Sequence, residues 1–168
     1  PRVFADSRGD FFESYSARAF EEATGQEAGF VQDNQSYSTY GVIRALHYQK
    51  GADAQAKLVR VLQGRVLDVA VDLRADSPTF GRHISVELSA ENRKQLYIPR
   101  GFAHGFSVLS DSAVFFYKCD NYYRPESEGG IHFADPELAI DWRIPEGRQQ
   151  LNAKDRELPV MREANIVW

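Results

Sequence analysis

Sulfur-containing residues and long apolar runs are both scarce in this sequence of 168 residues. Its one cysteine, Cys119, cannot form an intrachain disulfide and is typical of proteins that work in the reducing cytoplasm. A membrane-spanning helix needs about 20 consecutive apolar residues, and the sequence has neither such a run nor a signal-like start. We therefore expect a cytoplasmic protein that does not enter a membrane.

A strong excess of one charge is also absent. The 20 Lys and Arg residues are balanced by 24 Asp and Glu residues, for a net charge of −4 and a pI near 5.6. This balance argues against a general nucleic-acid-binding protein, although one local basic pocket is compatible with it. The length suits one domain. Because no linker, repeat or low-complexity segment divides the chain, we predict a single domain over residues 1–168.

Short strand-like runs dominate the chain between its N-terminal helix and about residue 120. The helix is predicted over "SARAFEEATG", which has a Ser cap at its start and Gly25 at its end. The predicted strands are "GVIRALHYQ", "AKLVRVLQG", "RVLDVAVDLR", "RHISVELS", "KQLYIP", "GFSVLS" and "AVFFYKCD". Their spacing, with little helix between them, is typical of an all-β sandwich or barrel. "PELAIDW" and "NAKDRELP" are turn-rich and suit short peripheral helical turns.

Two of the four histidines occur in ordered patterns. His47 lies in Gly-x5-His-x-Gln, and His104 ends Pro-x-Gly-x-x-His, whereas His83 and His132 suit ordinary structural roles. The two patterns resemble the signature segments of the cupin jelly roll, so we expect an all-β jelly-roll fold of that type. Metal-binding cupins have a second His where this chain has Gln49, and Asp53 in "KGADAQ" is a poor substitute for their carboxylate. Since metals favour converging imidazole and carboxylate ligands, we predict no metal site.

Three side chains then suit acid–base chemistry. His47 carries an imidazole, the side chain that most often serves as a general base. Lys57 shares strand parity with Val59 and Val61, so it points inward, either reaching out along a strand end or stabilising an oxyanion. Tyr117 on "AVFFYKC" is either a core tyrosine or an acid. A His base, a Lys cation and a Tyr acid together suit removal and return of a proton next to a carbonyl.

The residues resemble, in order and over almost the whole chain, the dTDP-4-dehydrorhamnose 3,5-epimerases, which are cofactor-free jelly-roll enzymes. The matching segments are "VFADSRGDFFESY", "FVQDNQSYSTYGVIRALHYQ", "QAKLVRVLQGRVLDVAVDLR", "SPTFGRHISVELSAENRKQLYIPRGFAHGFSVLS", "FFYKCDNYYRPESEGGI", "DPELAIDW" and "NAKDRELP". By this resemblance, the family's N-terminal strand segment before "VFADSRG" is missing from the chain. The resemblance implies an epimerase that needs no cofactor and inverts C3, C5 or both in a dTDP-4-keto-6-deoxyhexose.

The resemblance also implies catalytic roles. His47 would remove the proton alpha to the C4 ketone, and Asp155 would hold its ring in one tautomer. Lys57 would stabilise the enolate oxygen, and Tyr117 would return a proton from the opposite face. His104 would line the sugar pocket near the same oxygen. Nothing in the spacing of the sequence pairs residues 47 and 155.

Further residues are implied to bind the substrate. Arg44 and Arg60 would meet the diphosphate, a task that suits guanidinium forks, with Gln32 and Asn34 assisting. A further group, at the N-terminus, consists of Arg8, Phe11 and Glu13. This group would reach the nucleotide bound by the partner subunit, so a homodimer is implied.

Arg44 and His47 should both reach one pocket although they are three residues apart, which puts them on opposite faces of a regular strand. A β-bulge or strong twist between them would reconcile the two. The family usually has Gly at position 45, where this chain has Ala45. Either this position needs no positive φ, or Ala45 reshapes the pocket floor.

Three functional alternatives follow. Tyr37, Tyr40 and Gly129 depart from the residues common in the family and lie near regions that touch nucleotide or sugar. The dual epimerase therefore competes with a C3-only or C5-only enzyme of an antibiotic deoxysugar pathway. A metal-dependent cupin oxygenase and a non-catalytic sugar-binding jelly roll are more distant alternatives.

Overall fold

A computed structural model describes residues 1–27 and 29–166. The chain folds as two compact units, Pro1–Phe30 and Val31–Trp168. In the first, strands β1 (Val3–Asp6) and β2 (Gly9–Phe12) form an antiparallel hairpin, followed by helix α1 (Ala17–Thr24). The predicted caps are confirmed, because the Ser16 side chain accepts from the Ala19 N–H and Gly25 ends the helix at a φ of 68°.

The described residues of the second unit form nine strands and one short α-helix. The strands are β3 (Gln32–Thr39), β4 (Ile43–Gln49), β5 (Lys57–Gln63), β6 (Arg65–Asp72), β7 (His83–Ser89), β8 (Gln95–Ile98), β9 (Phe102–Val108), β10 (Ser112–Cys119) and β11 (Glu128–Gly130). Helix α2 (Ala153–Arg156) lies in "NAKDRELP", where a helical turn was expected, while "PELAIDW" forms turns only. No helix among the described residues is long and apolar enough to cross a membrane.

The nine strands form two antiparallel sheets, which confirms the predicted all-β class. One sheet has the order β3-β10-β5-β8 and the other the order β11-β4-β9-β6-β7. Side chains from both sheets form one apolar cluster, which includes Val59, Val61, Val66, Phe106 and Phe115. Strands with such alternating side chains can bury one face against the facing sheet.

The five-stranded sheet is apolar on its second face as well. Leu67, Val69 and Val71 of β6 pack in another cluster with residues of the C-terminal segment, among them Leu138 and Trp142. Burial on both faces explains why "RVLDVAVDL" is almost continuously apolar rather than alternating. The sheet therefore packs against apolar residues on both faces, which makes it a rigid support for side chains that line a cavity.

Strand β4 contains the expected bulge. Arg44 pairs with Phe106 and His47 pairs with His104, so three steps along β4 match two along β9. One extra residue on β4 restores Arg44 and His47 to the same face. Ala45 within the bulge is not among the residues with positive φ, so alanine fits there without backbone strain.

The residue that lets the two strands come close together at the bulge is Gly105 on β9. A Cβ at Gly105 would lie 2.6 Å from the Ala45 Cβ and 2.8 Å from the Arg44 carbonyl oxygen, which is closer than real Cβ contacts. The bulge therefore depends on a glycine in the neighbouring strand.

We predict that Gly105→Ala lowers the free energy of unfolding by about 1–3 kcal/mol, because the added methyl overpacks the bulge. The measurement is urea unfolding at equilibrium. Gly147→Ala is the matched control, since a Cβ at Gly147 meets nothing within 4 Å. Equal unfolding midpoints for the two variants would contradict the packing argument.

Candidate active site

A cavity of about 390 Å³ lies between the two sheets of the second unit. Its lining side chains come from β3, β4, β5, β9, β10, β11 and the α2 region. Seven predicted site residues line it together: Asn34, Arg44, His47, Lys57, His104, Tyr117 and Asp155. Residues from five separate strands and a helix thus meet in one space of the size of a small-molecule site.

His47 is held by Asp155, which is the pairing that the resemblance implied. The His47 Nε2 lies 3.3 Å from Asp155, whose carboxylate is buried at 2% exposure. Asn152 caps α2 by accepting from the Asp155 N–H at 2.6 Å, and the Ala45 N–H donates to Asp155 at 3.4 Å. A carboxylate at Nε2 keeps the ring proton there and leaves Nδ1 as the lone-pair nitrogen.

The charge of Asp155 depends on its neighbours. Burial raises its pKa, but the hydrogen bond and charge of His47, the Ala45 N–H and the charge of Arg44 together outweigh burial, and the pKa lies below its ordinary value. The carboxylate is therefore ionised when His47 takes up a proton.

His104 has its own carboxylate partner. It lies directly across from His47 in the sheet, and its Nε2 is 2.9 Å from an Asp68 oxygen, with both side chains buried. Burial lowers the pKa of His104, and the Asp68 charge opposes this effect. Asp68 was not predicted. Its signal in the sequence is a carboxylate in the middle of the apolar run "RVLDVAVDL".

Lys57 and Tyr117 face the same cavity from the four-stranded sheet. The Lys57 Nζ lies 5.7 Å from the centre of the Tyr117 ring. Burial lowers the pKa of Lys57, although Cys119, Asp68 and Glu128 oppose the shift. Burial also raises the pKa of Tyr117 to about 12, so its hydroxyl keeps its proton at neutral pH. A cation and a protonated phenol therefore lie together in the cavity.

Arg60 is not among the residues that line this cavity. It pairs with Phe116 and Gln95 along β5, whereas the cavity residue Tyr117 pairs with Val59. Neighbouring residues of a strand face opposite ways, so Arg60 lies on the far face of the sheet. Arg60 therefore does not line the cavity with Arg44, and its predicted contact with the diphosphate stays a prediction.

The remaining binding residues fall in two places. Gln32 is not a lining residue, but its side chain donates to the Asn34 amide oxygen at 3.1 Å. The N-terminal group belongs to the first unit, where Phe11 is 71% exposed and Arg8 pairs with Asp6.

Glu128, Tyr123 and Lys154 are among the lining residues that were not predicted, and they lie in polar, turn-rich segments. Glu128 accepts hydrogen bonds from the Tyr123 hydroxyl at 2.7 Å and from the Lys154 ammonium at 2.6 Å. Its other oxygen lies 3.6 Å from the Nδ1 of His47. A second carboxylate thus approaches the free nitrogen of His47.

The residues that depart from the epimerase or metal-cupin patterns lie in different surroundings. Gly129 packs under Tyr48, because a Cβ there would lie 2.4 Å from the Tyr48 ring. Tyr37 is 63% exposed and does not line the cavity. Gln49 accepts from the Arg124 N–H at 2.8 Å. Among residues 1–27 and 29–166, no group of three His, Cys, Asp or Glu residues is arranged to hold a metal ion.

The two-sheet fold with a cavity between its sheets is that of a cupin-type jelly roll, and comparison with known proteins gives its family. The family model described as dTDP-4-dehydrorhamnose 3,5-epimerase matches residues 1–163, and the chain belongs to that family. The dTDP-4-dehydrorhamnose 3,5-epimerase of Pseudomonas aeruginosa is 57% identical over 157 residues, which cover 94% of this chain and 86% of the relative.

Two crystal structures show the same architecture. The dTDP-4-dehydrorhamnose 3,5-epimerase of Elizabethkingia anophelis is 59% identical with a TM-score of 0.93, over 97% of this chain and 89% of that one. A 3,5-epimerase from Legionella pneumophila, in complex with dTDP-4-keto-L-rhamnose, is 53% identical with a TM-score of 0.93, over 97% of this chain and 86% of that one. The predicted family and fold are confirmed.

We predict that Lys57→Met raises the free energy of unfolding at neutral pH by about 1 kcal/mol, because a buried charge is removed from a functional site. The lowered pKa means that the folded chain binds fewer protons at Lys57 than the unfolded chain does. The stability of the unaltered chain should therefore gain from Lys57 as the pH rises towards 10.5, the ordinary lysine value.

Urea unfolding at several pH values measures both effects. Lys94→Met, at an exposed position, is the control and should change neither. A destabilised Lys57→Met variant, or one with an unchanged pH dependence, would contradict the argument.

Proposed function

We propose that the chain epimerises dTDP-4-keto-6-deoxyglucose at C3 and at C5, without a cofactor. One observation carries the proposal: in a member of this family, the His47–Asp155 pair, Lys57 and Tyr117 line a single cavity. Both carbons are alpha to the C4 ketone, so the same chemistry serves each of them.

The reaction begins at His47. Its Nδ1 lone pair takes the alpha proton, the C–H electrons form the enolate double bond, and negative charge moves to the C4 oxygen. Asp155 stabilises the imidazolium through Nε2. The Lys57 ammonium stabilises the enolate oxygen, where a cation in a site of low dielectric is most effective. His104, held by Asp68, lies beside the same oxygen.

Inversion requires that the returning proton arrive from the other side. Tyr117 donates its hydroxyl proton to the carbon as the enolate electrons return, and the oxygen regains its ketone form. His47 belongs to the five-stranded sheet and Tyr117 to the four-stranded sheet. A sugar ring between the two sheets would meet the base on one face and the acid on the other, which supports these roles.

Arg44 is the group that we propose for the diphosphate. Its guanidinium lines the cavity and is oriented by the Ser38 hydroxyl at 3.1 Å. Asn34 would add a hydrogen bond, with Gln32 holding the Asn34 amide. Arginine suits this task because its planar donors match phosphate oxygens.

We further propose a cytoplasmic homodimer in which the N-terminal segment completes the partner's nucleotide site. Phe11 would stack on thymine, Glu13 would accept from the thymine N–H, and Arg8 would approach the nucleotide. The exposed Phe11 pairs across the hairpin with the exposed Phe4, and an exposed apolar patch of this kind supports a binding or interface role.

Dual epimerisation is favoured over inversion of one carbon. The relatives at 53–59% identity have names that state 3,5-epimerase activity. Of the departures from the family pattern, Tyr37 points away from the cavity and Ala45 fits its bulge without strain. A C3-only or C5-only enzyme is the competing outcome of the first test.

The first test follows deuterium by NMR as the protein acts on dTDP-4-keto-6-deoxyglucose in D₂O. We expect deuterium at C3 and at C5, and a rhamno-configured product when a reductase traps the ketone. His47→Asn is the control and should lose at least tenfold in rate, because a positioned base contributes about 10²–10⁴. Deuterium at one carbon alone would identify a mono-epimerase, and none at all would overturn the proposed function.

A second test separates the acid from the base. Tyr117→Phe should still exchange the alpha proton with solvent through His47, while inversion slows by about 10²-fold or more, because only the acid has been removed. Exchange and inversion are read from the same NMR spectra. Equal losses of both would contradict the role of Tyr117 on the opposite face.

A further inference from the structure

Glu128 lies against the one nitrogen of His47 that Asp155 does not hold. The Nδ1 of His47 is 3.6 Å from a Glu128 oxygen, and Nε2 is 3.3 Å from Asp155. This distance is within reach of a proton transfer once the groups close by a few tenths of an ångström or a single water bridges them. The imidazole ring therefore lies between two carboxylates.

The fold brings both carboxylates to the ring through short elements. Gly130 of β11 pairs with His47, and Glu128 is two residues before it on the same strand face. Lys154 and Asp155 are consecutive in α2, so one helical turn binds Glu128 with the first and His47 with the second. Both contacts therefore depend on the same helical turn.

The proposed reaction requires that His47 lose a proton from Nδ1. After each inversion, His47 has one proton too many and Tyr117 has one too few. A second inversion on the same sugar requires that His47 release its proton while the ligand still occupies the cavity. Nε2 faces the buried Asp155, so the exit must begin at Nδ1.

We propose that Glu128 carries the proton from His47 to solvent between successive inversions, an inference that rests on the proposed function. The Nδ1–H bond breaks and its electrons stay on the nitrogen, while an O–H bond forms on Glu128. Glu128 then gives the proton to water and becomes a carboxylate again. The charges balance, since the imidazolium and carboxylate become two neutral groups before water takes the proton.

The surroundings of Glu128 suit a relay that leads outward. Its side chain is 19% exposed, and its partner Lys154 is 60% exposed at the mouth of the cavity. Burial raises the pKa of Glu128, but hydrogen bonds from Lys154 and Tyr123 outweigh it, and the pKa lies below its ordinary value. A carboxylate of this kind is charged before the transfer and does not retain the proton afterwards.

The test compares the first inversion, followed within a single turnover, with steady-state turnover in Glu128→Gln. Gln keeps the size and an acceptor for Tyr123 and Lys154 but does not accept a proton. We expect a first inversion close to that of the unaltered chain, followed by a steady-state rate lower by about tenfold or more. Imidazole, a small base that reaches the cavity mouth, should restore the steady-state rate as its concentration rises.

Glu126→Gln is the matched control, since it removes the same charge from an exposed position two residues away and should leave both rates unchanged. Equal losses in the two phases without rescue would overturn the relay and assign Glu128 to positioning. An unchanged rate in Glu128→Gln, or an equal loss in Glu126→Gln, would also overturn it. Inactivity of the unaltered chain would instead overturn the proposed function itself, and the relay with it.

Discussion

The one-residue bulge in β4 is the constraint on which the cavity depends. A regular strand would turn Arg44 and His47 to opposite faces, and one of the two would enter the apolar layer under the C-terminal segment. The bulge fits because Gly105 on the neighbouring strand has no side chain at the point of contact. Ala45, inside the bulge, gives its N–H to Asp155. The irregular backbone therefore also helps to hold the carboxylate that orients His47.

Around this bulge, several ionisable groups line the cavity. Two histidines among them have carboxylate partners: His47 with Asp155, and His104 with Asp68. Lys57 differs, because burial depresses its pKa and no ion pair compensates fully. A cation in this position can stabilise negative charge that appears during the reaction. The buried charge of Lys57 thus lowers the free energy of unfolding at the position where the proposed reaction needs a cation.

Rigid support for this site comes from burial of the five-stranded sheet on both faces. Buried strands are rich in apolar residues, so the strands between residues 41 and 119 were predictable from the sequence. The cupin-like patterns at His47 and His104 were recognisable from their spacing. β3 was not, because "QDNQSYST" is polar and has few β-formers. It forms a strand because β10 supplies its hydrogen bonds along its whole length. The carboxylate in "RVLDVAVDL" was visible but had no partner within the sequence.

By itself, the sequence determined the all-β class, the inward parity of Lys57 and Tyr117, and, by resemblance, the family. Each of these depends on local patterns or on the order of motifs along the chain. Only the tertiary structure decided which faces and partners those residues have. It turned Arg60 away from the cavity and brought Glu128 to the free nitrogen of His47, across 81 positions of the chain. The physical reason is that strand pairing and a single bulge decide which face of the sheet a side chain occupies. Neither produces a repeating pattern of residue types in the sequence.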